Sequence, residues 1–66
     1  MNLTINGVRE TLDRTVSLAD LLQARGYPLS AVVIERNGAI VPQSEWGHLM
    51  LSENDTLEIL RFVGGG

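Results

Sequence analysis

Residues 31–42 have the sequence AVVIERNGAIVP, in which two strand-like segments surround one tight turn. The first segment, residues 31–36, is rich in β-branched residues, and residues 39–41 form the second segment before Pro42 ends it. Asn37-Gly38 lies between them and is a dipeptide that type I′ hairpin turns prefer, because both central residues need a positive φ. The stretch therefore predicts a β-hairpin.

The N-terminus shows the same pattern. Apolar and polar residues alternate over residues 1–6, as they do in a strand with one buried face. Asn6-Gly7 follows as a second hairpin signal, and residues 8–13 are predicted to form the returning strand.

A single helix is predicted between the two hairpins. Ser17 stands three residues before Asp20, in a variant of the capping box that satisfies the first N–H groups of a helix. Gly26 and then Pro28 provide the end of the helix, which gives it a length of about nine residues. Three leucines at helical spacing form its apolar face: Leu18, Leu21 and Leu22.

The remaining residues complete one sheet. Residues 44–46 predict a capped single turn, Asn54-Asp55 predicts a further turn, and residues 56–62 predict the last strand. Two tight hairpins and one crossover helix exclude a doubly wound βαβ sheet. The economical arrangement is α+β, with one helix packed across a mixed four- or five-stranded sheet, which is the β-grasp fold. We assign residues 1–62 to this domain and residues 63–66 to a flexible C-terminal tail.

The amino-acid composition indicates a folded domain and argues against nucleic-acid and membrane binding. The 66 residues are enough for one core, and 44% hydrophobic residues with a net charge of −3 are typical of a folded domain. All five cationic side chains are Arg and they are scattered, so no basic surface for nucleic acid is expected. The chain has no N-terminal signal and no apolar stretch near the roughly 20 residues of a membrane span. We therefore expect a cytoplasmic protein without membrane contact.

Side-chain chemistry is nearly absent from the sequence. There is no Cys and only one His, so a disulfide, a catalytic thiol and a metal site are not expected. We interpret His48 as a packing or surface residue. Glu53, Asp55 and Glu58 lie close together near a turn, and we interpret them as carboxylates of a solvated turn rather than as a catalytic pair.

The C-terminus is the unusual feature of the chain. Gly64, Gly65 and Gly66 follow an apolar strand almost directly, and they allow a partner to close around the bare backbone to a depth of about 10 Å beyond Val63. The working group that we predict is the α-carboxylate of Gly66. The alternative is that the glycines are a frayed end or the remains of a linker.

Several stretches carry a resemblance to a known family: Glu35-Arg36-Asn37-Gly38, Ile40-Val41-Pro42, Trp46, Asp55, Glu58-Ile59 and Phe62-Val63-Gly64-Gly65. Over the whole chain they resemble the ThiS family of ubiquitin-like sulfur carriers of thiamine (thiazole) biosynthesis. The terminal Gly-Gly is shared by all ubiquitin-like proteins, whereas the Glu-Arg-Asn-Gly hairpin with Val-Pro and a following Trp is more specific. Asn54 stands where the family commonly has Gly; Asn tolerates a positive φ, so the turn is expected to survive.

The resemblance implies a carrier rather than an enzyme. An E1-like adenylating enzyme of the ThiF type uses ATP and Mg²⁺ to convert the Gly66 carboxylate into an acyl-adenylate, and a cysteine-derived persulfide supplies sulfur. Thiazole synthase of the ThiG type then uses the resulting thiocarboxylate. The resemblance implies that Val63, Gly64 and Gly65 thread into the partner, that the chain itself binds no cofactor, and that it is a monomer when free.

Partner docking is predicted on the sheet face that the helix leaves uncovered. The last strand is apolar on both faces, with Leu57 and Ile59 on one and Leu60 and Phe62 on the other. We assign docking to Leu60 and Phe62, because the other pair lies mid-strand where the helix would cover it. The alternative is that the turn around Trp46 and the segment after it cover Leu60 and Phe62.

Two other functions stay open at this point. A carrier of the molybdopterin synthase type shares the terminal chemistry but is usually longer, and the short chain and the Glu-Arg-Asn-Gly hairpin argue against it. A ubiquitin-like interaction module would use only its sheet surface, so that removal of the glycines would leave its function unchanged.

Overall fold

The computed structural model describes residues 1–62, and the predicted tail, residues 63–66, lies outside the described residues. The division into a domain and a tail therefore stays a prediction. The elements along the described residues are β1 (Asn2–Ile5), β2 (Val8–Thr11), α1 (Leu18–Ala24), a 3-10 turn (Leu29–Ala31), β3 (Val32–Arg36), β4 (Ala39–Ile40), a second 3-10 turn (Gln43–Glu45) and β5 (Thr56–Arg61).

The strands form one mixed five-stranded sheet in the order β2-β1-β5-β3-β4. β1 and β5 are parallel, and the other neighbouring pairs are antiparallel. β5, the last strand of the described residues, therefore lies at the centre of the sheet, and α1 packs across one face. The predicted β-grasp fold is confirmed. Within residues 1–62, no helix has the length and apolar content needed to cross a membrane.

Both predicted hairpin turns are present. Asn6 and Gly7 have φ values of 49° and 81°, and Asn37 and Gly38 have values of 52° and 86°. Two successive positive φ angles are the signature of the type I′ turn, whose twist matches that of the flanking strands. β2 ends at Thr11, earlier than predicted, although the Leu12 N–H still donates to the Met1 carbonyl at 2.8 Å and the Met1 amino group to the Leu12 carbonyl at 2.8 Å.

The helix begins and ends at the predicted signals. The Ser17 side chain accepts a hydrogen bond from the backbone N–H of Asp20 at 3.1 Å. At the other end, Gly26 has a φ of +75°, and the Tyr27 N–H donates to the Leu22 carbonyl at 3.0 Å. This is the bond of a Schellman motif, which satisfies one of the last carbonyls of a helix. The helix has seven residues rather than about nine, because Arg25 is its C-cap and Gly26 lies beyond its last turn.

The core lies between α1 and one face of the sheet. The three predicted helix leucines, Leu18, Leu21 and Leu22, are all buried. Burying a leucine fully contributes about 1.5–3 kcal/mol to stability. The buried apolar residues that join them are Leu3, Ile5, Val32, Ile34, Val41, Trp46, Leu51, Leu57 and Ile59. Because the only α-helix of residues 1–62 packs on this face, the opposite face of the sheet has no second layer of helix.

The segment after β4 differs in detail from the prediction. Its 3-10 turn begins at Gln43, follows Pro42 and has no side-chain cap, so the predicted capped turn over residues 44–46 is wrong in its start and its cap. Trp46 follows this turn and links back to the residue before Pro42: its indole N–H donates to the Val41 carbonyl at 2.9 Å. A buried indole needs such an acceptor, and this bond holds the segment against the core.

The second hairpin turn gives a testable prediction. Gly38→Ala should lower the free energy of unfolding by about 1 kcal/mol, because a φ of +86° strains any residue that has a Cβ, even though nothing lies within 4 Å of that position. Gly47→Ala is the matched control, since its added Cβ also meets nothing within 4 Å and its φ is not positive. Its stability should equal or slightly exceed that of the unsubstituted protein. Urea denaturation measures both changes, and equal losses would contradict the prediction.

Candidate functional site

The structure describes only part of the predicted site. The residues predicted to thread into a partner and to carry the reacting carboxylate lie outside the described residues: Val63, Gly64, Gly65 and Gly66. The predicted docking residues Leu60 and Phe62 are described. Their placement shows which surface adjoins the start of the tail.

The central strand β5 has two apolar faces with different environments. Leu57 and Ile59 are 0% and 6% exposed and belong to the core under the helix. Leu60 and Phe62 are 50% and 56% exposed. The sequence predicts this sidedness, whereas the role of Leu60 and Phe62 in docking stays a prediction.

Phe62 lies one residue beyond β5 but remains part of the sheet. Its backbone N–H donates to the Ala31 carbonyl at 2.8 Å. This bond continues the antiparallel register in which Arg61 lies opposite Val32. Because side chains alternate between faces along a strand, Phe62 emerges on the same face as Leu60.

Neighbouring strands add to the surface around Leu60. Val33 of β3 lies directly opposite Leu60, and Ile40 of β4 lies opposite Glu35. Residues opposite each other in an antiparallel ladder share a face, and Ile40 is 67% exposed. We call the resulting surface the open face. Its residues are Val33, Glu35, Ile40, Glu58, Leu60 and Phe62.

The segment around Trp46 does not cover the open face. The backbone N–H of Leu18 donates to the Leu49 carbonyl at 2.8 Å, and that of Ala19 donates to the Trp46 carbonyl at 3.0 Å. These bonds hold the segment against the start of α1, on the helix side of the sheet. The alternative that this segment covers Leu60 and Phe62 is therefore wrong.

An asparagine side chain supports β5 where its parallel neighbour ends. The Asn6 side-chain oxygen accepts from the Ile59 backbone N–H at 2.7 Å, and its amide nitrogen donates to the Ile59 carbonyl at 3.3 Å. The side chain thus replaces a backbone partner after β1 has ended at Ile5. β5 therefore has a hydrogen-bonding neighbour on this edge beyond the last residue of β1.

The interpretation of Glu53, Asp55 and Glu58 as carboxylates of a solvated turn is wrong for Glu58, which lies within β5, and for Asp55, which is buried. Its exposure is 4%. Its carboxylate accepts hydrogen bonds from the Ser52 backbone N–H at 2.8 Å, from Arg36 Nε at 2.9 Å and from the Asn37 side-chain amide at 3.1 Å. The turn before β5 and the turn after β3 are joined through this one carboxylate.

Asn37 closes the same cluster from the hairpin side. Its side-chain oxygen accepts from the Thr56 N–H at 2.9 Å, and its backbone N–H donates to the Thr56 carbonyl at 2.8 Å. In the sequence, the only indication of this contact is that opposite charges, Arg36 and Asp55, each lie beside a predicted turn. The indication is usable only once β3 and β5 are known to be neighbours.

The environment of Asp55 lowers its pKa. Burial raises the pKa of this carboxyl, but hydrogen bonds from Ser52, Arg36 and Asn37, together with the charge of Arg36, lower it by more. The net pKa lies below the ordinary value, so the carboxylate is ionised at neutral pH. Asp55 therefore stabilises the fold through charge-assisted hydrogen bonds and does not serve as a proton donor.

The other titratable side chains do not assemble a reaction centre. Among residues 1–62 there is no group of three or more His, Cys, Asp and Glu side chains arranged to hold a metal ion. His48 is exposed. Glu10 and Arg25 form an ion pair between β2 and the end of α1, and the hydrogen bond from Arg25 lowers the pKa of Glu10.

Comparison with protein families matches residues 3–66 to the ThiS family. The chain belongs to the ThiS family. The sulfur carrier protein ThiS of Bacillus subtilis is 35% identical over 52 residues, which cover 79% of each chain. The crystal structure of the thiamine biosynthesis protein ThiS from Geobacter metallireducens has a TM-score of 0.85 and 32% identity, with both chains covered completely.

A third relative is much longer than this chain. The thiazole synthase of Magnetococcus marinus is 33% identical over 66 residues, which is 100% of this chain and 20% of that enzyme. The chain therefore spans about a fifth of the length of this curated relative. A segment similar to this chain therefore occurs within a protein named thiazole synthase.

Residues that carry the ThiS resemblance have structural roles here. Arg36 and Asn37 bind Asp55, and Trp46 binds the Val41 carbonyl. Asn54, the departure from the family pattern, has a φ of 66°, as expected for a residue that replaces Gly in a turn. Arg36 and Asn37 therefore fix the start of β5, and Trp46 fixes the segment after β4.

The Asp55 cluster gives a pH-dependent prediction. Asp55→Asn should lower the free energy of unfolding at pH 7 by about 2–3 kcal/mol, because it removes a buried charge that Arg36 and two further donors require. The pKa of Asp55 is depressed in the folded state. Its stabilising contribution is therefore complete above the ordinary carboxyl pKa and is lost as the pH falls through the folded value. The difference between the two proteins should shrink below about pH 4.

Urea denaturation between about pH 2 and pH 7 measures this difference. Asp13→Asn is the control, because Asp13 is exposed and its carboxylate forms no hydrogen bond within residues 1–62. Its stability should change by less than about 0.5 kcal/mol. A difference for Asp55→Asn that stays constant over the whole pH range would contradict the assigned role of the charge.

Proposed function

We propose that this ThiS-family chain is a sulfur carrier of thiamine biosynthesis, in which the Gly66 carboxylate is adenylated and then converted into a thiocarboxylate that donates sulfur for thiazole formation. The observation that carries the proposal is the family match, which extends to the last residue, Gly66. The Bacillus subtilis relative, a sulfur carrier protein by name, supports the same role. The chain acts as a co-substrate and not as an enzyme.

The chemistry needs activation because a carboxylate is a poor electrophile. In the proposed cycle a carboxylate oxygen of Gly66 attacks the α-phosphorus of ATP, and pyrophosphate leaves. Mg²⁺ held by the adenylating enzyme neutralises the phosphate charge. The terminal sulfur of a cysteine persulfide then attacks the acyl carbon and AMP leaves. A thiol reduces the resulting S–S bond by two electrons, which leaves the thiocarboxylate on Gly66.

The open face supplies the docking surface in this proposal. Its half-exposed apolar residues Leu60 and Phe62 lie at the end of the sheet from which the tail continues. Four residues follow Phe62, and an extended chain advances at most about 3.5 Å per residue, so Gly66 can reach about 14 Å from Phe62. The nucleotide site of the adenylating enzyme must lie within this distance of the docked Phe62.

Two enzymes use the same carrier in this proposal. One is an E1-like adenylating enzyme of the ThiF type, which brings ATP and Mg²⁺. The other is a thiazole synthase of the ThiG type. The match of the whole chain to part of the Magnetococcus marinus thiazole synthase supports the second partner.

The terminal chemistry is tested by intact mass. After incubation with its cognate adenylating enzyme, ATP, Mg²⁺ and a cysteine-based sulfur source, the chain should gain the mass of one oxygen replaced by sulfur, and fragmentation should place the gain on Gly66. A chain that ends at Val63 is the control and should gain nothing. If the full chain gains nothing while the same enzyme modifies another carrier, an interaction module without terminal chemistry becomes the better interpretation.

The docking surface is tested by a pair of substitutions at similarly exposed residues. Leu60→Asp should lower the kcat/KM of the adenylating enzyme for the carrier at least about tenfold, because it places a charge in an apolar contact. Val8→Asp is the matched control: Val8 is 59% exposed and lies opposite Ile5, on the helix side of the sheet. It should change kcat/KM by less than about twofold. Circular dichroism shows whether both variants are folded, and equal effects of the two substitutions would contradict docking through the open face.

A further inference from the structure

Two glutamates lie opposite each other on the open face. Glu35 of β3 and Glu58 of β5 are direct partners in the antiparallel ladder. Their side chains therefore emerge on the same face, with Cβ atoms about 5 Å apart. Both residues are partly buried. Like charges directly opposite each other lower the stability of a sheet, so this pair has a cost in the isolated chain.

No cation of residues 1–62 neutralises the pair. The salt bridges within these residues are Arg25 with Glu10 and Arg36 with Asp55. Arg36 is thus engaged, although it is next in sequence to Glu35. Neither Glu35 nor Glu58 uses its carboxylate in a hydrogen bond with another described residue.

Apolar side chains flank the two carboxylates. Leu60 follows Glu58 on the same face and is 50% exposed, and Ile40 lies opposite Glu35 and is 67% exposed. A partner that covers these apolar groups also removes water from the carboxylates. Two desolvated like charges carry a large free-energy penalty unless a counter-charge accompanies them. Whatever covers the open face must therefore bring positive charge to this point.

We propose that the open face docks onto a surface of thiazole synthase that places a basic side chain between Glu35 and Glu58 and apolar side chains around it. This inference rests on the proposed carrier function. Arginine suits the position, because its planar fork of donors serves two carboxylates at once and its charge is permanent. The whole-chain match to a segment of a thiazole synthase selects this enzyme as the occupant.

A second copy of the chain does not fit the open face. Each chain has a net charge of −3, and a copy related by a two-fold axis would bring a second pair of glutamates towards the first. Facing like charges across an interface disfavour association. The complementary surface therefore belongs to a different protein with a basic patch. The glutamate pair thus makes the open face favour partners that combine apolar side chains with a basic patch over partners whose surface is only apolar.

The double variant Glu35→Gln/Glu58→Gln tests the inference, with the dissociation constant for the cognate thiazole synthase measured by titration calorimetry. The dissociation constant should rise at least about tenfold, because the basic side chain of the partner would then be buried without its counter-charge. Its dependence on salt concentration should become weaker. The melting temperature of the variant should be equal to or above that of the unsubstituted chain, since the repulsion in the ladder is removed. A loss of binding without a loss of stability separates docking from folding.

The matched control is Asp13→Asn/Glu45→Gln, which removes the same charge from exposed positions outside the open face. It should bind thiazole synthase within about twofold of the unsubstituted chain. Three results would overturn the inference: an unchanged dissociation constant for the Glu35/Glu58 variant, an equal loss in the control, or a loss confined to binding of the adenylating enzyme. Self-association of the unsubstituted chain through this face, seen by analytical ultracentrifugation and strengthened in the variant, would also overturn it.

The mass measurement separates this inference from the carrier function. If the unsubstituted chain gains sulfur at Gly66 and the Glu35/Glu58 variant still binds thiazole synthase unchanged, only the docking inference is overturned. If the unsubstituted chain gains no sulfur while its adenylating enzyme is active, the carrier function is overturned and the docking inference with it.

Discussion

The central strand β5 presents apolar side chains on both faces, and α1 covers only one of them. Leu57 and Ile59 complete the core, so the fold depends on their burial. Leu60 and Phe62 emerge on the other side, where no second layer of helix exists within residues 1–62. A domain of this size has a large surface relative to its core and too few residues to bury both faces of a sheet. One face of the strand thus stabilises the isolated protein, and the other leaves apolar side chains exposed for the docking that we propose.

Three kinds of hydrogen bond hold this strand along its length. The Asp55 cluster holds its start through charge-assisted bonds from Arg36 and Asn37. The Asn6 side chain pairs with the backbone at Ile59, and Ala31 pairs with Phe62. The ladder therefore continues to the last described residue. In the function that we propose, this ladder fixes the position of Phe62, from which the last four residues of the sequence continue.

Carboxylates lie in two different environments along β5. At Asp55 a buried carboxylate is fully paired, and the arrangement stabilises the fold. At Glu35 and Glu58 two carboxylates lie opposite each other without a partner among the described residues. A stable isolated domain gains nothing from the second arrangement, whereas an interface that must distinguish a basic partner from other apolar surfaces does. The paired carboxylate therefore lies at the start of β5, and the carboxylates that we assign to docking lie nearer its C-terminal end.

The amino-acid sequence by itself determined the local elements, because their causes act within a few residues. Asn-Gly dipeptides specify the two type I′ turns, Ser17 and Gly26 specify the ends of the helix, and the alternation in β5 specifies its two apolar faces. The terminal glycines and the family resemblance are also visible in the sequence, so the carrier chemistry can be predicted without the tertiary structure. Tertiary structure alone decided that Asp55 is buried and that Glu35 lies opposite Glu58. Both facts depend on which strands are neighbours and in what register, and residues far apart in the chain set that register by packing α1 onto a single face of the sheet.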